Sequence, residues 1–392
     1  MNKIRIAYIL SSTTPNGGAT KAFRSFLRLL MMRGIEPLIV LPDKKDIYED
    51  FNAMGIPLFV STYRAATFPY LRTTKDYVMF LPRLMARLFV NHRASHRLTG
   101  WLRNKQVDII HTNVSVTDIG FKASRRLDIP HVYHIREYAD LIDMHYIPSK
   151  KRFYRQLEAK DSYSICITRD IQNYYHQAGK PTSRVIYDGV MPRRKLELLS
   201  FTEREPFFLY AGRLELTKGL DILLEAYLKY KETREKTLPL YVAGGISSKP
   251  FYNQIHQYVS DNDLTEHVHF MGEVSDLESY MQRAGALIIP SRHEGFGLCM
   301  PEAMFNGCLC IGNDVGGIHE QLENGLQTEG KEIALRYNTT EELTRLITEV
   351  TDRHFTFYDA MRQRAFHAVN TLYSAEANAE NIYQFYQDIL QS

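Results

Sequence analysis

The sequence predicts an α/β protein built from two doubly wound, parallel-sheet domains. Three observations lead there. Short apolar runs alternate with amphipathic stretches along the whole chain, the pattern of repeated βαβ units with right-handed crossovers. The chain has 392 residues, too many for one hydrophobic core. Its charge is also divided: residues 1–190 carry 29 Lys and Arg against 16 Asp and Glu, a balance of +13, whereas residues 191–392 carry 19 against 29, a balance of −10. A basic first half and an acidic second half suggest two bodies with different partners.

The first strand is Ile4-Arg5-Ile6-Ala7-Tyr8-Ile9-Leu10, entered directly from Met1-Asn2-Lys3. A polar loop follows, then an amphipathic helix from about Ala19 to Arg33. Further strands are expected at Pro37–Leu41, Pro57–Val60, Val107–His111, His131–His134, Ser164–Ile167 and Arg184–Tyr187, with a long helix over Tyr77–Lys105. Met191 to Pro206 has mixed charge, two prolines and no strand pattern, and reads as the interdomain linker. A second alternation then begins: Phe207–Tyr210, Leu240–Ala243, His267–Met271, Ala286–Ile289, Cys308–Ile311 and a weaker Ile333–Arg336. The expected domains are residues 1–195 and 196–374. Ligands of such sheets bind at the carboxyl ends of the strands, so a cleft between two such edges is expected.

Apolar content of 44% and charge of 24% are ordinary for a globular protein. No apolar run reaches the length of a membrane span, and the N-terminus does not read as a signal peptide. Cys166, Cys299, Cys308 and Cys310 give no disulfide framework and no zinc set. A reducing cytoplasm is the expected location.

The chemistry concentrates in Pro290-Ser291-Arg292-His293-Glu294-Gly295-Phe296-Gly297-Leu298 and the following Pro301-Glu302-Ala303-Met304. Two carboxylates, Glu294 and Glu302, stand eight residues apart across a strand–loop–helix junction. Gly295 and Gly297 let backbone amides approach a ligand, and a helix opening near Leu298 favours an anion. Solvated surface charge is the bland alternative. A site holding a diphosphate beside carboxylates reads hydroxyls, as on a sugar and a ribose. Upstream, Tyr210-Ala211-Gly212-Arg213-Leu214 and Lys218-Gly219 place two cations after a strand. They suit charge growing on a leaving diphosphate, with Arg gripping two oxygens and Lys acting as a point charge. The alternative is two solvated basic residues in a polar turn. Thr14-Pro15-Asn16-Gly17-Gly18-Ala19 lacks the spacing of a P-loop or a dinucleotide fingerprint. It is a plain turn or a close backbone approach, and its place after the first strand favours Gly17 and Gly18 as donor contacts.

These motifs resemble the retaining glycosyltransferases of family 4. The hallmark is two Glu separated by seven residues, with Gly-Phe-Gly after the first and Glu-Ala-Met at the second. Gly316-Gly317 followed by Glu320, together with Asp108-Ile109-Ile110-His111 and His134, carries the resemblance along most of the chain. It implies the GT-B fold, with a final helix near Ala375–Leu390 crossing back onto the first domain through Tyr383, Phe385, Tyr386, Ile389 and Leu390. It also implies a sugar moved from a nucleoside diphosphate to a hydroxyl acceptor, the leaving phosphate deprotonating the acceptor on the same sugar face. Catalytic roles fall to Glu294, Arg213, Lys218 and His134, the last facing the cleft. Donor binding falls to Gly17, Gly18, Gly212, Gly295, Phe296, Gly297, Leu298 and Glu302, with Glu302 on the ribose. His111 reads as structural, and His293 as shaping its loop. Gly244-Gly245 departs from the more usual Gly-x-Gly.

No cofactor and no metal are expected, and UDP rather than GDP is the expected carrier. Asp261-Asn262-Asp263 reads as a helix-ending turn rather than a metal set. An epimerase of the same fold would need a further acid/base set. A silent partner in a transferase complex would lack Glu294, Arg213 or Lys218. The basic residues Arg83, Arg87, Arg93 and Arg97, with Lys150-Lys151-Arg152, suggest peripheral contact with anionic lipid at the inner face of the membrane, each cation contributing about 1 kcal/mol. No nucleic-acid motif accompanies them. A saccharide or lipid-linked acceptor, in surface polysaccharide or glycolipid synthesis, fits that setting.

Overall fold

The computed structural model describes residues 3–15, 17–71, 73–139, 144–195 and 204–392. It divides into two compact units, Met1–Gly189 with Ala375–Ser392, and Val190–Ser374. Within the stretch expected to link them, residues 196–203 lie outside the described residues, as does Asn16 of the first loop.

The strands of unit 1 are β1 (Ile4–Ile9), β2 (Ile35–Leu41), β3 (Leu58–Val60), β4 (Thr67–Pro69), β5 (Ile109–Thr112), β6 (His131–Ile135), β7 (Met144–Tyr146), β8 (Ser162–Cys166) and β9 (Ser183–Val185). Its helices are α1 (Gly18–Met32), α2 (Ile47–Ala53), α3 (Thr74–Leu102), α4 (Ile119–Leu127), α5 (Lys150–Leu157) and α6 (Arg169–Tyr174). Among the described residues a seven-stranded parallel sheet runs β3-β2-β1-β5-β6-β8-β9. Side chains alternate across it as the two-residue strand period demands. Ile6 and Tyr8 of β1 face a core built with Phe23, Phe26 and Leu27 of α1. Ala7 and Ile9 face the opposite core, with Leu98 and Leu102 of α3 and Ile119 of α4. The sequence pattern missed β4 and β7, which pair antiparallel as a separate ribbon.

Unit 2 holds β10 (Glu205–Ala211), α7 (Leu220–Glu232), β11 (Leu240–Ala243), α8 (Lys249–Asp261), β12 (Val268–Gly272), α9 (Leu277–Arg283), β13 (Ala284–Ile289), α10 (Cys299–Phe305), β14 (Cys310–Asn313), α11 (Gly316–Glu329), β15 (Leu335–Tyr337), α12 (Thr340–Asp352) and α13 (Asp359–Leu372). Its six-stranded sheet runs β12-β11-β10-β13-β14-β15, every pairing parallel. Apolar runs such as Ala286-Leu287-Ile288-Ile289 are buried on both faces, as parallel sheets covered by helices require. The strand expected to begin at Phe207 in fact starts two residues earlier, at Glu205, inside the stretch assigned to the linker.

The last helix, α14 (Ala375–Gln391), belongs to unit 1. Ile382, Phe385, Tyr386 and Ile389 join the core beside α1. Leu390, expected on that face, is 41% exposed instead.

Candidate functional site

In unit 2 the strand order reverses between β10 and β13, because the chain builds β11 and β12 on one side before returning to β13 on the other. Open α/β sheets place ligands at such a switch point, outside the carboxyl ends of the strands. The loops after β10 and β13 flank it, and both predicted charge clusters sit on them.

After β10 the chain passes Gly212 and Arg213 and makes a 3₁₀ turn over Leu216–Lys218. Gly219 then takes φ +68°, and a Cβ there would lie 1.9 Å from the Pro290 carbonyl oxygen at the end of β13. Only glycine permits both that conformation and that approach. Arg292 clamps the two loops together. Its backbone N–H donates to the Thr217 carbonyl at 2.9 Å, and its guanidinium donates to both Asp221 carboxylate oxygens at 2.7 Å.

This packing brings Lys218 Nζ to 2.6 Å from Glu294 Oε1, although the residues are 76 apart in sequence. Ser291 Oγ donates to the same oxygen at 2.8 Å. Asn313, ending β14, donates to the Ser291 carbonyl at 3.0 Å. The Glu294 backbone carbonyl accepts from the Gly317 N–H at 2.9 Å. Gly316 and Gly317 are both needed there, since a Cβ on either would come within 2.6 Å of Glu294 O or Phe296 Cα. Four chain segments therefore fix the position of one carboxylate.

The neighbouring residues divide in role. Gly297, at φ +86°, sits where a Cβ would strike Ile318. Phe296 was expected to bind donor, but its side chain is buried edge-on to Tyr373 with ring centroids 5.3 Å apart, and Gln321 donates to its carbonyl. Phe296 anchors the loop from below. Gly295, Leu298 and Glu302 are partly exposed, with Leu298 capping α10 and Glu302 in its first turn. Cys299 stands among Glu294, Lys218 and Glu302, and burial followed by the Glu294 charge pushes its thiol up to about 12. Those surroundings favour the protonated thiol. Arg213 lies on the same loop as Lys218, its side chain 66% exposed and ion-paired to Glu215 at 3.0 Å. Gly244 has φ +156° and lies against the Gly212 carbonyl, so the loop after β11 supports the loop after β10. Asp261-Asn262-Asp263 closes α8 ahead of β12, at the opposite edge of the sheet.

The remaining predicted residues lie in unit 1. Gly17 caps α1, its carbonyl accepting from the Thr20 and Lys21 N–H groups at 2.9 Å, and Gly18 is exposed. His134 was expected to face a cleft, but its side chain is 0% exposed and stacks on Phe26. Arg136 Nη2 lies 3.2 Å from His134 Nδ1, and Arg can only donate, so that nitrogen accepts and the proton sits on Nε2. His111 Nε2 is also 3.2 Å from Nδ1, and the Tyr386 hydroxyl is 2.6 Å from His111 Nδ1. Burial, and then the charge of Arg136, hold His134 well below the usual imidazole range and His111 at about 3. Both rings are neutral parts of a buried network. Sequence reasoning passed over the charged members of this network. Arg136 pairs with Asp188 and donates to the Asn113 carbonyl at 3.2 Å, while Asn113 Nδ2 donates to the Ala19 carbonyl at 3.0 Å. The only hint was Arg136 lying two residues beyond a strand-end His.

Residues 16–194 match the family profile described as Glycosyltransferase Family 4, and residues 195–366 match the one described as Glycosyl transferases group 1. The chain belongs to the family 4 glycosyltransferases. This glycosyltransferase is similar to an uncharacterized glycosyltransferase of Methanocaldococcus jannaschii, 28% identical over 261 residues that span 63% of this chain and 70% of that one. It is similar to the O-antigen chain mannosyltransferase of Salmonella typhimurium, 31% identical over 143 residues, which span 36% of this chain but only 38% of the relative. In fold it resembles the crystal structure of Anabaena HepE in complex with UDP, with a TM-score of 0.74 at 17% identity, covering 98% of this chain and 100% of that one. The two doubly wound units are those of the GT-B fold.

Proposed function

We propose that this glycosyltransferase moves a sugar from a nucleoside-diphosphate sugar to a hydroxyl acceptor, with retention of configuration and without a divalent metal. The observation carrying the proposal is the Lys218–Glu294 pair at the switch point of unit 2. A cation and a carboxylate side by side suit a ligand offering phosphate oxygens as acceptors and sugar hydroxyls as donors. Lys218 and Arg213 hold the diphosphate and stabilise the charge that develops on its bridging oxygen as the glycosidic bond breaks. Glu294, held by Ser291 and the Gly317 N–H, receives hydroxyls of the donor sugar. Glu302 takes the ribose. The departing phosphate removes the acceptor proton on the same sugar face, which retains the anomeric configuration.

UDP is the favoured carrier, supported by the UDP in the Anabaena structure, and the O-antigen relative supports a saccharide acceptor of surface polysaccharide or glycolipid synthesis. A thermal-shift panel of nucleoside diphosphates and their sugars should single out one base. With the matched donor, Arg213→Ala and Lys218→Ala should each lower turnover by at least about a hundredfold, the effect of removing one preorganised charge-stabilising group. Turnover should continue in excess chelator and yield the α-anomer from an α-linked donor. Near-normal turnover in both variants, an inverted product, or activity restored only by Mg²⁺ or Mn²⁺ would overturn this mechanism.

A further inference from the structure

The helix α3 has two apolar faces, and only one is used by the fold. Over its second half the buried side is conventional: Asn91, Ala94, Ser95, Leu98, Thr99 and Leu102 pack inward. The first half keeps the same inward side, where Phe80 packs edge-on to Phe68 at 5.1 Å. On the opposite side Tyr77, Val78, Leu81, Met85, Leu88 and Phe89 form a stripe with helical spacing. Five of them, all but Leu88, are between 60% and 70% exposed. Further along the helix the exposed residues change character and become His92, Arg93, His96 and Arg97.

The charge around this stripe has one sign. Between Arg64 and Gln106 the sequence carries nine Lys and Arg and a single acidic residue, Asp76. Asp76 is already engaged, capping α3 through Thr73 and pairing with Arg83 at 3.3 Å. Arg87, expected from sequence to face lipid, turns inward and donates to the Ala65 and Thr67 carbonyls. Lys75, Arg93 and Arg97 remain exposed. A second copy docked through this face would be self-complementary, setting the same cations against themselves. An anionic bilayer matches both components, since an interfacial helix buries an apolar stripe among the acyl chains while its cations meet headgroup phosphates. Among the described residues no helix is long and apolar enough to cross a membrane.

We propose that the first half of α3 is a peripheral docking surface for an anionic lipid bilayer, with the Tyr77–Phe89 stripe inserted and Lys75, Arg93 and Arg97 at the headgroups. This surface stands independently of the donor chemistry in unit 2. The test is flotation of the full chain with vesicles of phosphatidylcholine alone or with about a third phosphatidylglycerol, at low and high salt. Binding to the anionic vesicles should be at least tenfold stronger and should weaken with salt. Val78→Ser/Met85→Ser/Phe89→Ser should remove it, and Lys75→Gln/Arg93→Gln/Arg97→Gln should erase the preference for anionic lipid. Thermal shifts by nucleoside diphosphates, read on the same samples, should be unchanged in both variants. Absence of vesicle binding, or equal binding to both vesicle types, would overturn the proposal. So would a concentration-dependent dimer abolished by the triple Ser variant, which would assign the stripe to a second copy.

Discussion

The Lys218–Glu294 contact can be weighed without any substrate, by a double-mutant cycle of Lys218→Met and Glu294→Gln. Lys218 is 22% and Glu294 9% exposed, so the pair is neither a surface ion pair nor a dry one. Two unit charges about 4 Å apart attract by about 1 kcal/mol in water and about 4 kcal/mol at the effective dielectric near a protein surface. Desolvation and side-chain ordering oppose this, leaving a coupling of about 2 kcal/mol. In a domain the size of unit 2 that equals a shift of roughly 4–8 °C in melting temperature. The assay must report on the correct unit. The single tryptophan, Trp101, lies in α3 of unit 1 and packs on Phe59, so calorimetry should replace fluorescence. Strict additivity of the two substitutions, within about 0.3 kcal/mol, would mean that the charges do not sense one another in solution and would remove the contact on which the site is built.

Gly219→Ala should destabilise unit 2 by at least about 3 kcal/mol, because the left-handed conformation costs about 1–2 kcal/mol and the new Cβ meets Pro290 O at 1.9 Å. Gly330→Ala, at nearly the same φ but with nothing within 4 Å, should show only the backbone part, and equal losses in calorimetry would refute the steric argument. His111 predicts a pH dependence. Its folded pKa of about 3 lies below the usual 6.5, so the unfolded chain takes up a proton that the folded one refuses. Stability should be complete above pH 6.5 and fall by about 1.4 kcal/mol per pH unit toward pH 3. Burial raises the Asp188 carboxyl and acts in the opposite sense, so the measurement is the difference in slope between the parent chain and His111→Asn. Identical slopes in denaturant titrations would contradict it.

The parallel strands were legible because a strand covered on both faces becomes a continuous apolar run, as in Ala286–Ile289 and Phe207–Tyr210. The β4–β7 ribbon was not legible. Thr67-Phe68-Pro69 and Met144-His145-Tyr146 are three residues each, one contains a proline, and their pairing joins segments far apart in sequence. The spacing of Glu294 and Glu302, and of Arg213 and Lys218, could be read along the chain. That Lys218 meets Glu294 depends on β10 lying beside β13, which no local pattern encodes. Burial was the other blind spot. Phe296 sits inside a motif, yet its side chain faces Tyr373, and His134, one residue before the end of β6, lies beneath the surface because Phe26 covers it.

The passage of α14 back into unit 1 has a consequence for biosynthesis. The core formed by Phe23, Phe26 and Ile39 stays incomplete until Ile382, Phe385 and Tyr386 have been made. At a synthesis rate of about 5–20 residues per second, roughly 10–40 s separate the end of the first segment at Gly189 from the arrival of that helix. Unit 2 is contiguous from Val190 to Ser374 and can close during that interval. The part of unit 1 translated before unit 2 is therefore completed after it, and a nascent chain holds an open apolar groove beside α1 until α14 arrives.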